Sequence, residues 1–199
     1  MKIGIFGGTF DPPHLGHIKT FKAFYDKFKF DKTYVIPVST PPHKQIKSTS
    51  TTQDRLNMSR LAFETIANNI EVSDIEIKRQ GKSYTADTIK HFKDQGCDEI
   101  YFLCGTDMLL TLDSWYKPNY IFENATIVYA RRESELDITE KISEKILIYQ
   151  KNFNAKIEFL DISILEISST EIRNSFEKVG AQYLSPEVYD YIKANGLYN

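Results

Sequence analysis

The sequence predicts an α/β fold, a doubly wound and mostly parallel sheet with a small helical segment at its C-terminal end. Two observations lead there. Short apolar runs rich in β-branched residues recur at residues 2–6, 33–38, 99–104, 125–130 and 156–160, and stretches with helical spacing separate most of them. The first run ends in Gly7-Gly8, the pattern of a buried strand entering a tight turn. With 199 residues, 41% of them hydrophobic, the chain is long enough to bury one core, read as a single domain over 1–199 with its helical segment at about 168–199.

Each element has its own signal. After the first strand, Pro12 and Pro13 keep Asp11 and Pro12 out of the α region, so the first helix begins no earlier than about Pro13. Leu15, Ile18, Phe21, Phe24 or Tyr25, and Phe28 give that helix its apolar face. The second strand, 33–38, leads into a polar loop carrying Pro41, Pro42, His43 and Lys44. A helix follows over 53–68, then a strand over 71–77 near the sheet edge. Thr85 suits the N-cap of a helix from Ala86 to about Gln95, which Gly96 closes. The run EIYFLC at 99–104 reads as a central strand, and Asp107 beyond it can N-cap a short helix. Trp115 lies in a turn before Pro118. A strand at 125–130, a charged helix at about 138–149 and a strand at 156–160 follow. Ser168 and Glu171 form a capping-box pattern, and Ser185-Pro186 opens the last helix, to about Ala194.

The chemistry concentrates at strand ends. Glycines let backbone N–H groups approach a ligand, and a helix start adds unpaired donors and a positive dipole end, so the stretch from Gly7 to His17 suits a phosphate. His14 and His17, three apart, lie on one face near that helix start. The spacing is neither GxxxxGK[ST] nor GxGxxG, and so constitutes a third kind of phosphate turn. Ser168, Ser169, Thr170 and Arg173 surround a second helix start, a second anion site. Read singly, each of these also has a plain structural reading as a cap, a turn or a surface residue.

The 25 basic and 27 acidic residues are interspersed, for a net charge of −2, which excludes a basic field for nucleic acid or an anionic membrane surface. No apolar run is long enough for a membrane span and the opening lacks a leader pattern, so a cytoplasmic location is expected. Cys97 and Cys104 stand at opposite ends of one predicted strand and cannot pair while it is intact. No Cys/His cluster suggests a metal site.

The segments GGTFDPPHLGH, PPHK, KSYTADT, GTDMLLTLDSWYKP, YARR, ISSTEIR and YLSPEVYDYIKANGLY, in that order, resemble the bacterial nicotinate-nucleotide adenylyltransferases of the nucleotidyltransferase superfamily. The resemblance covers nearly the whole chain; Pro13, where isoleucine is commoner, is the departure in the first motif. It implies a Rossmann-like nucleotidyltransferase fold and transfer of AMP from ATP to nicotinate mononucleotide, giving deamido-NAD and pyrophosphate. It assigns Gly7, Gly8, Thr9, Phe10, His14, His17, Gly105, Asp107, Ser168, Ser169, Thr170 and Arg173 to ATP, with His14, His17 and Arg173 catalytic. His43, Lys44, Thr85, Trp115 and Tyr116 fall to the mononucleotide. Mg2+ would ride on the ATP phosphates rather than on a protein site. No nucleic acid or membrane partner is implied, and a homo-oligomer is left open. Two alternatives remain: a sister enzyme with another acceptor, such as a phosphopantetheine adenylyltransferase, which has no need of SYT and the loop tryptophan, and a nucleotide-sensing module, which has no need of both histidines and Arg173.

Overall fold

The structure, a computed structural model, describes residues 1–40, 49–79, 81–130, 139–162, 165 and 167–198. Six strands form one sheet: β1 (Lys2–Gly8), β2 (Lys32–Pro37), β3 (Ile70–Val72), β4 (Glu99–Gly105), β5 (Thr126–Ala130) and β6 (Ile157–Leu160), in the order β3-β2-β1-β4-β5-β6. Every pairing is parallel. Parallel neighbours require crossover connections, which the intervening helices supply. The strand order reverses between β1 and β4, where Phe6 lies opposite Leu103. In a doubly wound sheet the ligand crevice opens at such a switch point, beyond the strands' C-terminal ends.

Side-chain alternation divides the core into two layers. One face takes Phe6, Leu103 and Val128 from the strands and packs them against α1 (Leu15–Phe28), α2 (Thr52–Phe63), α8 (Ser169–Asn174), α9 (Phe176–Tyr183) and α10 (Pro186–Ala194). The other takes Ile3, Ile5, Phe102 and Ile127 and packs them against α4 (Thr85–Asp94), α5 (Thr106–Leu109), α6 (Pro118–Asn124) and α7 (Thr139–Phe153). Each large apolar side chain buried this way contributes about 1.5–3 kcal/mol before conformational entropy is counted. Among the described residues no helix is long and apolar enough to cross a membrane.

Several elements differ from expectation. The strand expected over 71–77 ends at Val72: among the described residues it pairs along the edge of β2, and the last ladder bond runs from Ser73 N–H to Val35 O (2.9 Å). The chain then turns into α3 (Ile75–Arg79), whose first helical bond joins Lys78 N–H to Asp74 O (2.9 Å). The helix expected to reach residue 68 stops at Phe63, and the Glu64 carboxylate instead accepts from Val72 N–H (3.0 Å), tying the turn to β3. Conversely, α7 runs past 149 to Phe153, since Tyr149 and Phe153 both pack against Phe122 with centroids 4.8 Å away, and Phe122 sits on the unexpected α6.

Candidate active site

β1 delivers Gly7 and Gly8 to the switch point, and Phe10 turns back at φ +48° with its ring 2% exposed. A Cβ on Gly8 would stand 2.7 Å from that ring, so the close approach itself requires glycine. His14 is the N-cap of α1 and His17 its third residue. The Nδ1 of His14 accepts from His17 N–H (3.3 Å), while His14 N–H donates to the Nδ1 of His17 (3.2 Å). This is a capping box built from two imidazoles, stacked with centroids 3.7 Å apart. Because each Nδ1 accepts a backbone N–H, it must keep its lone pair, so each ring carries its proton on Nε2. In this arrangement the pair offers N–H donors rather than cations. Phe10 supports His17 edge-on, with centroids 5.3 Å apart.

The second motif closes on the first. Ser168 caps α8 by accepting from Glu171 N–H (3.1 Å), but Glu171 does not return the bond, so only half of the expected box forms. Ser169 Oγ donates to Pro12 O (2.9 Å). Arg173 donates through Nη1 to Asp11 O (2.6 Å) and through Nη2 to the Thr170 hydroxyl (3.0 Å). Sequence positions about 160 apart thus form one rim around the GGTF turn.

Two cavities meet there. One, of about 310 Å3, lies between the ends of β1 and β4 and is lined by His14, His17, Phe10, Gly105, Thr106 and Asp107, with Leu165 and Ile167 opposite. The other, of about 240 Å3, is mostly apolar and is lined by Ile5, Ile36, Phe102, Ser83, Tyr84, Thr85, Trp115 and Tyr116. Gly7, Gly8 and Met108 line both. Trp115 is half-buried, its Nε1–H donating to the Thr111 hydroxyl (3.3 Å) and its ring edge-on to Phe102. Tyr116 is 44% exposed and stacks near Tyr84, with centroids 4.6 Å apart.

Two capping expectations are corrected. Thr85 is the first residue of α4 rather than its cap; Tyr84 holds that place, and its side chain makes no cap bond. Gly105, not Asp107, is the N-cap of α5, which frees the Asp107 carboxylate to face the cleft, exposed. Cys97 and Cys104 are free and buried, and burial raises the Cys104 thiol well above its ordinary value, so it is not a nucleophile. His43, Lys44, Arg131 and Arg132 lie outside the described residues.

Sequence reasoning missed the charged groups beneath the site. Arg55, on α2, is 1% exposed and donates to Thr9 O (3.0 Å), Val38 O (2.6 Å), Ser39 O (3.2 Å) and the Thr52 hydroxyl (3.3 Å). It thereby pins the turn after β1 to the chain leaving β2. Burial lowers its pKa, against the opposing influence of Asp11 and Tyr198. Glu76, on α3, is 7% exposed and lines the apolar cavity, one oxygen accepting from the Thr88 hydroxyl (2.7 Å). Neither carries a local pattern: each reads as an ordinary polar position of a surface helix.

Comparison with known proteins gives the family. The family model described as cytidylyltransferase-like matches residues 5–175. A Clostridium novyi protein named "probable nicotinate-nucleotide adenylyltransferase" is 42% identical over 191 residues, 94% of this chain and 92% of its own. A Dictyoglomus thermophilum protein of the same name is 40% identical over 204 residues, all of both chains. Among solved structures, a Plasmodium falciparum nicotinic acid mononucleotide adenylyltransferase complexed with NaAD has the same fold, with a TM-score of 0.79 at 23% identity over 99% of this chain and 97% of its own. With its histidine-capped turn at the switch point and its full-length match to these relatives, the chain belongs to the nicotinate-nucleotide adenylyltransferase family within the cytidylyltransferase-like fold group.

Proposed function

We propose that this protein transfers AMP from ATP to nicotinate mononucleotide, forming nicotinate adenine dinucleotide (deamido-NAD) and pyrophosphate. The observation that carries this reading is the pair of cavities sharing Gly7, Gly8 and Met108, one lined by the two histidines, Thr106 and Asp107 and the more polar of the two, the other mostly apolar, which suits two nucleotides whose phosphates meet over the GGTF turn. ATP takes the more polar cavity. Its phosphates lie along Gly8, Thr9, His14 and His17, the second motif with Arg173 stands on the other side, and Gly105 and Asp107 face its adenosine. The mononucleotide takes the apolar cavity, its ring stacked on Trp115 and its carboxylate at the start of α4, with Thr85 and Tyr116 flanking. His43 and Lys44 complete its phosphate contacts in this reading.

No protein nucleophile is needed. An oxygen of the mononucleotide phosphate attacks the α-phosphorus, the bond to the bridging oxygen breaks, and pyrophosphate leaves with that electron pair. Catalysis is positioning plus stabilisation of charge on the α-phosphate and the leaving group, through the two Nε2–H donors, Arg173 and backbone N–H groups. Among the described residues no three His, Cys, Asp or Glu side chains converge to hold a metal. In this reading a divalent ion enters as part of the substrate, MgATP, bound by phosphates and water. We read residues 1–199 as one domain, and the two buried thiols suit the cytoplasm.

Steady-state pyrophosphate release with each mononucleotide, with the dinucleotide product weighed by mass spectrometry, tests the reading. Backbone donors meet a carboxylate with charge-assisted bonds but oppose an amide NH2 with another donor, a mismatch of about 1–3 kcal/mol. Nicotinate mononucleotide should therefore exceed nicotinamide mononucleotide in kcat/KM by at least about tenfold. Equal values would sink the deamido assignment.

A further inference from the structure

Asp11 is a buried junction that neither the reaction nor the family motif explains. It is 2% exposed, at the end of the GGTF turn. One carboxylate oxygen accepts from the Ser50 hydroxyl (2.5 Å) and from the Tyr198 hydroxyl (2.6 Å). The other lies 3.7 Å from Nη1 of Arg173, the same nitrogen that donates to the Asp11 carbonyl. A single residue of the first motif thus fixes the guanidinium of the second, and two hydroxyls fix that residue in turn.

Tyr198 is the more distant of the two, and several contacts determine its position. Its backbone N–H donates to the Thr49 hydroxyl (3.1 Å), and its ring stands 6.4 Å from that of Phe176, on the α8–α9 side of the core. Its backbone sits at φ +65°, the left-handed region that costs a residue with a Cβ about 1–2 kcal/mol, so the surrounding contacts must hold it there. Burial, and next the Asp11 carboxylate, push its phenol pKa up, which keeps the hydroxyl a donor.

We propose that Tyr198 is a positioning residue for the triphosphate site: by donating to Asp11 it sets the carboxylate that holds the Arg173 guanidinium at the edge of the GGTF turn. The inference rests on the reading of Arg173 as a triphosphate ligand. A guanidinium whose carboxylate partner has lost one of its donors is aimed less firmly, and losing one hydrogen bond to a charged group corresponds to about a tenfold change.

Tyr198→Phe removes one oxygen from a packed site and tests this. KM for ATP should rise about threefold to tenfold while KM for nicotinate mononucleotide stays within about twofold. In an Arg173→Lys background, where the forked guanidinium is already gone, Tyr198→Phe should add less than about a further twofold. A merely structural tyrosine would instead weaken both substrates and would act alike in both backgrounds. Ser50→Ala, which removes a second donor to the same oxygen, should reproduce the ATP-selective pattern; melting curves of each variant separate loss of fold from loss of aim. An unchanged KM for ATP in both Tyr198→Phe and Ser50→Ala, or an effect of Tyr198→Phe fully retained beside Arg173→Lys, overturns the inference while leaving AMP transfer intact. A wild-type protein that forms no dinucleotide from ATP and nicotinate mononucleotide overturns the functional reading first, and this inference with it.

Discussion

Replacing Arg55 by methionine tests how the site is built, because it removes a charge that touches no substrate in the reading above. The guanidinium makes four hydrogen bonds, three of them to the backbone carbonyls of Thr9, Val38 and Ser39. Bonds from a charged donor contribute about 1.5–3 kcal/mol each, a gross loss of about 5–9 kcal/mol for the three carbonyls. Several kcal/mol return because the guanidinium no longer has to be desolvated, and methionine fills most of its volume. The net destabilisation is therefore about 2–4 kcal/mol, or a fall in Tm of about 5–15 °C in a domain of this size. Arg55→Lys keeps the charge, but one ammonium cannot span Thr9 O and Ser39 O together, so it should lose about half as much. Because Thr9 belongs to the phosphate turn, KM for ATP should rise about threefold or more in both variants. Circular-dichroism melts and steady-state titration with ATP measure both effects. A methionine variant melting within about 2 °C of wild type would refute the reasoning, since the three carbonyls would then be satisfied without Arg55.

His17→Ala should lower kcat about 100- to 1000-fold, the cost of one positioned donor, and lose about 1 kcal/mol with its half of the capping box; near-normal turnover would make the pair a cap only. Gly8→Ala drives a methyl into the buried Phe10 ring, 2.7 Å away, and should cost about 1–3 kcal/mol in urea denaturation, with Phe10→Leu recovering part of it. Trp115→Ala should raise KM for both mononucleotides alike and spare ATP, because stacking does not distinguish acid from amide; a selective loss would move the carboxylate contact to the tryptophan itself. Acid stability should reflect Asp54 and Asp113, whose carboxyls are held below their ordinary value of 3.8: burial opposes this in both, but bonds from Thr51 and Tyr191 in the one, and from Lys145 and Tyr149 in the other, prevail. A folded pKa below the unfolded one means stability present above about pH 4 and lost as pH falls through the folded value, so the Tm gap between wild type and Asp113→Asn should close in acid. A gap that widens below pH 4 would reverse the sign.

What the sequence determined by itself was everything written in local periodicity or in a short motif. Five of the six strands, the glycine turn of Gly7-Gly8, the start of α1 set by Pro12-Pro13 and the N-caps Ser168 and Ser185 are each decided within a few residues, because strand alternation and capping are short-range effects. The strand that went astray, β3, is the one whose length depends on a partner: it ends where the edge of β2 stops offering ladder bonds, a fact that no window around Ile75 contains. The same holds at the site. His14 and His17 are legible as a pair from their spacing, but that they cap one another through Nδ1, and so present Nε2–H, is decided only when the helix forms. Arg55 looks like the solvated face of a helix until the turns after β1 and β2 close over it with three carbonyls. Asp11, Ser50, Arg173 and Tyr198 span nearly the length of the chain, and one carboxylate draws them together only because parallel topology brings the end of β1, the approach to α2 and the start of α8 to the same edge of the sheet. Long-range pairing and the burial of charge are properties of the assembled core, and the core is what tertiary structure adds.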